Sequence, residues 1–114
     1  NLSGNELTTF PDDMGWLTKS LFTLNIGGNS LQEIPPFVVT LKGLRELYLY
    51  GNKLTELPPE IGELVKLIIL DCSDNQLTVV DGKNLPNELQ HLYIRGNPGV
   101  RIRGINHMWR GLHM

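Results

Sequence analysis

Asp71, Ser73 and His91 are the side chains of this 114-residue chain whose types could make up a hydrolase triad. Asp71 and Ser73 are two residues apart, which corresponds to roughly 6.6 Å along an extended strand. A triad needs its nucleophile, base and orienting acid within hydrogen-bond distance, together with donors aimed at the developing oxyanion. The three residues lie in short strand-like segments that would form an open, shallow surface without such donors. We therefore predict that the chain is not an enzyme.

Metal and cofactor chemistry is not favoured by the sequence either. His107 and His113 are six residues apart, which suits neither a helical pair of ligands nor a zinc motif. The segment Gly27-Gly28-Asn29 lacks the lysine and the following helix of a phosphate-binding loop. Cys72, the single cysteine, occupies an apolar position of a repeated pattern, and we interpret it as a core residue. We predict no cofactor and no metal ion.

The elements that must position these side chains follow from a repeat of about 23 residues. Asn29, Asn52 and Asn75 recur at that period, and each is followed two positions later by a leucine. The copies share the pattern Leu-x-x-Leu-x-Leu-x-x-Asn-x-Leu, with isoleucine or Cys72 in place of the third leucine. Three copies begin at Leu21, Leu44 and Leu67, and a fourth begins at Leu89 but has Gly99 in place of the last leucine. This pattern is identified as the leucine-rich-repeat signature, which implies stacked coils.

The expected fold is an α/β leucine-rich-repeat solenoid. It is a curved right-handed coil with a parallel sheet on its concave side and loops with short 3₁₀ or α turns on its convex side. About five coils are expected in residues 1–103. The first is incomplete, because residues 1–5 resemble the second half of a strand, so further coils are expected before it. Proline pairs favour helical turns in the return halves, but the third coil lacks this pair over residues 79–86 and is predicted to form a loop there.

A column of asparagines is predicted inside the coils. Where the chain turns away from the sheet, backbone N–H and C=O groups are buried, and an asparagine side chain can both donate to them and accept from them. The predicted column comprises Asn5, Asn29, Asn52, Asn75 and Asn97. The alternative is that these asparagines occupy ordinary surface turns.

Outward side chains of the sheet are the candidate binding residues. Alternate residues of a strand point to opposite faces, and residues one repeat apart become neighbours in a row. Tyrosine and arginine are frequent anchors of protein interfaces, so we predict a protein-binding surface on the concave face. Its members are Glu46, Tyr48, Tyr50, Ile69, Asp71, Asp74, His91, Tyr93 and Arg95. The alternative is that the tyrosines serve only strand formation and cross-strand packing.

The C-terminal segment, residues 104–114, departs from the repeat. Four of its apolar residues have the spacing of one face of an amphipathic helix, which predicts a helical cap over the end of the core. They are Ile105, Met108, Trp109 and Leu112. A degenerate further repeat is the alternative, because Leu112 lies 23 residues after Leu89. A helix offered to a partner is a third interpretation.

Charge is distributed unevenly along the chain, whose net charge is −2. Residues 1–88 contain six basic and twelve acidic side chains, whereas residues 89–114 contain four arginines and no acidic side chain. This basic end either keeps the last coil soluble or contacts an acidic surface of a partner or neighbouring domain. Nucleic-acid binding is not predicted, because it requires a broad basic stripe. Membrane insertion is not predicted, because no apolar run approaches the ~20 residues that a bilayer requires.

The second half of the repeat narrows the resemblance to one subclass of leucine-rich-repeat proteins. The phrase Leu57-Pro58-Pro59-Glu60-Ile61-Gly62-Glu63-Leu64 resembles the intracellular Ras-interacting subclass, which includes Ras-suppressor-like scaffolds, Scribble-type polarity proteins and Roco-type kinases. The resemblance implies a cytoplasmic signalling scaffold that binds a protein through its concave face. The single cysteine agrees with an intracellular location, since extracellular relatives often carry disulfide-bonded caps. The alternative is a substrate-recognition or regulatory repeat domain of a larger enzyme, a kinase, GTPase or ubiquitin ligase, whose catalytic part lies outside this chain.

Overall fold

Short strands and 3₁₀ segments alternate along the part of the chain that the computed structural model describes, residues 22–105 and 109–114. The strands are β1 Thr23–Asn25, β2 Glu46–Tyr48, β3 Ile69–Asp71, β4 Val79–Asp81, β5 His91–Tyr93, β6 Arg101–Arg103 and β7 Leu112–His113. The 3₁₀ segments are Pro36–Thr40, Pro59–Glu63 and Gly82–Asn84. Asn5, the first predicted coil and Met108 lie outside the described residues.

Five strands form one parallel sheet in the order β1-β2-β3-β5-β7. The strands are parallel because the return half of each coil brings the chain back to the end of the sheet at which the previous strand began. The register pairs Leu24, Leu47, Leu70 and Leu92 in one inward row. There are two outward rows, Thr23, Glu46, Ile69 and His91 in one and Asn25, Tyr48, Asp71 and Tyr93 in the other. The predicted α/β repeat architecture, with its parallel sheet and short 3₁₀ turns, is confirmed.

The core is a stack of apolar layers, one for each coil. Leu47, Leu70 and Leu92 are completely buried at the centres of their strands. No single coil could bury these side chains, because each layer is covered by the coils on either side of it. Cys72 is also completely buried in this stack. Burial, and to a lesser degree the charge of Asp71, raises the pKa of its thiol, so Cys72 is an inert core residue.

Proline begins the regular return segments. Pro36 and Pro59 are the first residues of their 3₁₀ segments, where the missing N–H costs no hydrogen bond. Each segment then turns an apolar side chain into the core, and Val38 and Ile61 are completely buried. The return halves therefore close the core on the side opposite the sheet.

The buried asparagines join consecutive coils. Asn52 Oδ1 accepts a hydrogen bond from Leu31 N–H of the preceding coil at 3.1 Å. Its Nδ2 donates to the carbonyl oxygens of Ile26 in that coil and Leu49 in its own coil, both at 3.1 Å. Asn75 and Asn97 repeat this arrangement one and two coils further on. Each of these side chains therefore satisfies backbone groups that water cannot reach.

The return half of the third coil is not the loop that we predicted. Val79–Asp81 forms β4, which pairs in parallel with β6 as a second, two-stranded sheet, and Gly82–Asn84 follows as a 3₁₀ turn. Asp81 Oδ1 accepts a hydrogen bond from Lys83 N–H at 3.0 Å and so begins this turn. The prediction was wrong because two consecutive valines without an adjacent proline suit a strand, and the stacking of the next coil supplies its partner.

In residues 109–114 the structure has a strand where we predicted part of a helix, and residues 106–108 of that segment lie outside the described residues. Leu112–His113 forms β7, which lies parallel to β5 and pairs Leu112 with Leu92. The edge of β5 offers unpaired backbone groups, and these hold the segment extended. Leu92 N–H donates to Gly111 O at 2.7 Å, and Ile94 N–H donates to His113 O at 2.9 Å. We propose that residues 104–114 are a shortened further repeat, because β7 occupies the place of the next coil.

Candidate functional site

The outward side chains of the five-stranded sheet form one continuous surface, which we call the sheet face. In β2, β3 and β5 the central residue is buried and its two neighbours are half-buried, so alternate side chains reach solvent. The sheet face consists of Thr23, Asn25, Glu46, Tyr48, Ile69, Asp71, His91, Tyr93 and His113. Tyr50, Asp74 and Arg95 lie just beyond the C-terminal ends of its strands.

The middle of the sheet face is acidic and internally hydrogen-bonded. The hydroxyl of Tyr48 donates to Glu46 Oε1 at 2.6 Å. This hydrogen bond, followed by burial and by the charges of Glu46 and Asp71, raises the pKa of Tyr48 to about 12. Asp71 Oδ1 accepts a hydrogen bond from Ser73 N–H at 3.0 Å, which fixes its carboxylate at the end of β3. Glu46 and Asp71 are therefore held in place before any partner arrives.

Tyr50 lies across the preceding coil. Its ring passes over Gly27, where a Cβ atom would come within 2.5 Å of the ring, so a larger residue at position 27 would displace the ring. Its hydroxyl accepts a hydrogen bond from Asn25 Nδ2 at 3.2 Å. Tyr50 thus contributes to the packing between coils, a role that the sequence prediction did not include. It remains half-exposed at the edge of the sheet face.

An aromatic cluster of His91, Tyr93 and His113 covers the β5–β7 end of the sheet face. The rings of Tyr93 and His113 are parallel within 10° and their centroids are 4.2 Å apart. His91 stacks on His113 with a centroid distance of 5.5 Å, and its Nδ1 lies 3.2 Å from His113 Nε2. The three rings therefore form one cluster in which each ring is held by contact with another.

His113 is the residue of this cluster that sequence reasoning missed. The repeat spacing aligned Leu112 with Leu89, whereas the structure pairs Leu112 with Leu92, 20 residues earlier. The leucine–histidine pair at 112–113 resembles the strand segment His91-Leu92-Tyr93, and this local likeness was the available signal. This likeness was not recognised because the last repeat is shorter than the others, so the fixed repeat spacing did not align the two segments.

Asp74 carries backbone strain at the edge of the sheet face. Four equivalent turns after the strands place a residue in the left-handed region: Gly28, Gly51 and Gly96 occupy three of them, and Asp74 occupies the fourth with φ 55°. A side chain in this region is unfavourable for most residues, although aspartate tolerates it better than others. Asp74 is exposed and contributes nothing to the core. Strain of this kind is common at functional positions.

Replacing Asp74 by glycine is expected to raise the free energy of unfolding by up to about 1 kcal/mol, because the left-handed conformation is then unstrained. Thermal or urea unfolding measures this directly. Gly51→Ala is the matched variant and should lower the free energy of unfolding, because Gly51 has φ 68°. A destabilised Asp74→Gly variant would contradict the strain argument. A stabilised variant that binds its partner less well would show that the strain serves function.

The three residues whose types could make up a hydrolase triad, Asp71, Ser73 and His91, do not form one. The Asp71 carboxylate is bonded to the backbone of Ser73, and the ring of His91 is bonded to that of His113. Neither group is directed at a nucleophile. In residues 22–105 and 109–114, no helix has the length and apolarity needed to cross a membrane.

Comparisons with known proteins identify the repeat. Residues 19–60 match the family model for leucine-rich repeats in two copies. Podocan-like protein 1 of Mus musculus is 37% identical over 101 residues, which cover 85% of this chain and 17% of that protein.

Two solved structures share the fold. A leucine-rich-repeat protein of Leptospira interrogans superposes with a TM-score of 0.64 and 31% identity, over 90% of this chain and 31% of that one. The plant peptide hormone receptor RGFR1 in complex with RGF2 superposes with a TM-score of 0.60 and 26% identity, over 86% of this chain and 18% of that one. The chain thus spans less than a third of each of these relatives.

The repeat pattern, the parallel sheet built from successive coils and these similarities agree. The chain has the leucine-rich-repeat fold, and its residues 19–60 match the leucine-rich-repeat family.

Proposed function

We propose that this chain is a protein-recognition module that binds a protein partner through the sheet face. The observation that carries the proposal is the ordered set of half-buried side chains on that face, which the core does not require. Tyr93 stacks against His113, and Tyr48 is held by Glu46, so both tyrosines can be buried by a partner with little further loss of conformational freedom. Large, preorganised aromatic side chains are the usual anchors of protein interfaces.

The charges of the sheet face indicate the kind of partner surface that it fits. Glu46 and Asp71 give its centre negative charge, and Asp74 extends this charge to the edge. Arg95 is exposed two residues after Tyr93, beyond the C-terminal end of β5. A complementary partner would place basic groups over β2 and β3 and an acidic or aromatic group near β5.

The family supports a binding role in general terms. The solved plant peptide hormone receptor RGFR1 is in complex with RGF2, so that member of the fold binds a partner. The sheet face would serve in a free-standing scaffold and equally in the substrate-recognition part of a larger enzyme. The intracellular location, the Ras-group membership and the contact of the basic C-terminal end with an acidic surface stay predictions.

Quantitative capture of protein partners with the intact chain and with single variants tests the proposal. Tyr93→Ala should weaken capture about tenfold, as expected for loss of one interface anchor, and leave the melting temperature within a few degrees of the parent. Phe22→Ala is the matched aromatic control, because Phe22 is 57% exposed and lies outside the sheet face. Its capture should equal that of the parent. Equal capture by Tyr93→Ala, Tyr48→Ala and the parent would remove the sheet face from consideration.

A further inference from the structure

Two imidazole rings from adjacent strands are joined by a direct hydrogen bond on the sheet face. His91 lies on β5 and His113 on β7, and His91 Nδ1 is 3.2 Å from His113 Nε2. One of these nitrogens carries the proton and the other accepts it, so the bond requires at least one neutral ring. Both side chains are half-buried, so protons from solvent can reach the pair.

Successive protons have opposite effects on this contact. With one added proton, the charged ring donates and the neutral ring accepts, which strengthens the hydrogen bond. With a second added proton, both facing nitrogens carry hydrogen and no acceptor remains between them. Two positive charges then lie side by side and repel each other. The contact is therefore lost when both rings are charged.

The carboxylates nearest the pair have other partners. Asp71 lies on β3, one strand from His91, and its Oδ1 accepts a hydrogen bond from Ser73 N–H. Glu46 lies two strands away in the row of His91, and its Oε1 accepts from the hydroxyl of Tyr48. Among residues 22–105 and 109–114, no carboxylate forms an ion pair with either ring.

The β7 side of the pair adds no negative charge. The ring of Tyr93 lies against His113, and the exposed Arg95 and Arg110 follow β5 and precede β7. Residues 89–114 contain no acidic side chain. A second positive charge on the pair therefore meets no negative partner from its own end of the sheet.

We propose that the pair of His91 and His113 is a pH-sensitive contact that holds β7 to the sheet at neutral pH and releases it in acid. β7 has only two residues, so one side-chain contact is a large part of what holds it. Once β7 is detached, its histidine and His91 can both be charged without repulsion, so acid favours the detached form. Release also removes the stack of His113 on Tyr93 and so weakens partner binding, a consequence that rests on the proposed function.

Hydrogen exchange of the intact chain at about pH 7.5 and about pH 4.5, which bracket the range in which histidine changes charge, tests the proposal. Exchange is expressed as protection factors, which correct for the intrinsic effect of pH on the rate. The amides of Leu92 and Ile94 donate to β7 and should lose at least about tenfold in protection in acid, as expected for loss of a hydrogen bond to a charged group. The amide of Leu49, which donates to Asp71 O, should lose less. No partner takes part, so the result is independent of the proposed function.

Variants separate the pair from other groups that titrate. Glutamine donates and accepts at every pH and gains no charge, so His91→Gln and His113→Gln should each lack the acid-induced loss at Leu92 and Ile94. His107→Gln is the matched control, because it removes a histidine and retains the pair, and it should lose protection as the parent does.

The measurement on the parent needs no variant and stands even where a variant fails to fold. Unchanged protection of Leu92 and Ile94 in the parent across this pH range would overturn the proposal. An equal acid-induced loss in the parent and in both pair variants would overturn it as well.

Discussion

Replacing Asn52 by alanine lowers the free energy of unfolding by about 1–3 kcal/mol, the usual penalty for an unsatisfied buried polar group. Asn52 contacts four backbone groups, and these are not affected equally. The carbonyl oxygen of Tyr50 keeps a hydrogen bond from Gly28 N–H at 2.8 Å. The carbonyl oxygen of Ile26 keeps a hydrogen bond from Asn29 at 2.9 Å, and that of Leu49 keeps one from Asn75 at 3.0 Å. Leu31 N–H has Asn52 Oδ1 as its acceptor and loses it. The loss therefore falls on one buried donor.

Urea unfolding measures this change through the transition midpoint. Asn87→Ala is the matched control, because Asn87 is exposed in a turn, and its midpoint should stay within about 0.5 kcal/mol of the parent. Asn52→Asp separates the acceptor function of the Asn52 side-chain amide from its donor function. Aspartate retains an acceptor for Leu31 N–H but directs a carboxylate at the three carbonyl oxygens to which Asn52 Nδ2 donates, so this variant should also be destabilised. An unchanged midpoint for Asn52→Ala would show that the asparagine column does not stabilise the coil.

Replacing Gly111 by alanine is expected to detach β7 from the sheet and to lower stability by about 1–3 kcal/mol, the usual cost of overpacking. Gly111 is buried, and a Cβ atom there would overlap with the carbonyl oxygen of Gln90. That oxygen belongs to the backbone and cannot move aside as a flexible side chain would. The new methyl group must therefore push residues 111–113 away from β5.

Hydrogen exchange locates the effect of this variant. The amides of Leu92 and Ile94 donate to β7 and should lose protection, whereas the amide of Leu49, which donates to Asp71 O on β3, should keep it. Gly99→Ala is the matched control, since a Cβ atom at Gly99 would meet no atom within 4 Å. Unchanged protection of Leu92 and Ile94 in Gly111→Ala would contradict the pairing of β7 with β5.

The two variants also separate stability from function. Asn52 lies inside the coil, so its loss should weaken the whole fold without altering the chemistry of the sheet face. Gly111→Ala should leave the first coils intact and disrupt the stacking of His113 on Tyr93. Partner capture should therefore decrease more in Gly111→Ala than in Asn52→Ala, when both are compared at a temperature where they remain folded.

The regular coils could be predicted from the sequence because each residue in them has a single role. Leu47, Leu70 and Leu92 recur at fixed spacing since each must fill one layer of the core, and Asn52 and Asn75 recur since the same backbone groups need partners in every coil. A parallel sheet with one register then follows, because a shift of one residue would turn the leucines outward. The fold class and the members of the outward rows are therefore encoded locally.

Tertiary structure decided the places where the repeat is irregular. Val79–Asp81 became a strand only because β6 of the next coil pairs with it, and Leu112–His113 only because the edge of β5 was free. A short apolar segment can form a strand, a turn or a helix, and its choice depends on the hydrogen-bond partners that folding brings to it. The sequence placed His91 in its row. The contact between His91 and His113 required the position of a strand whose register no repeat spacing specified.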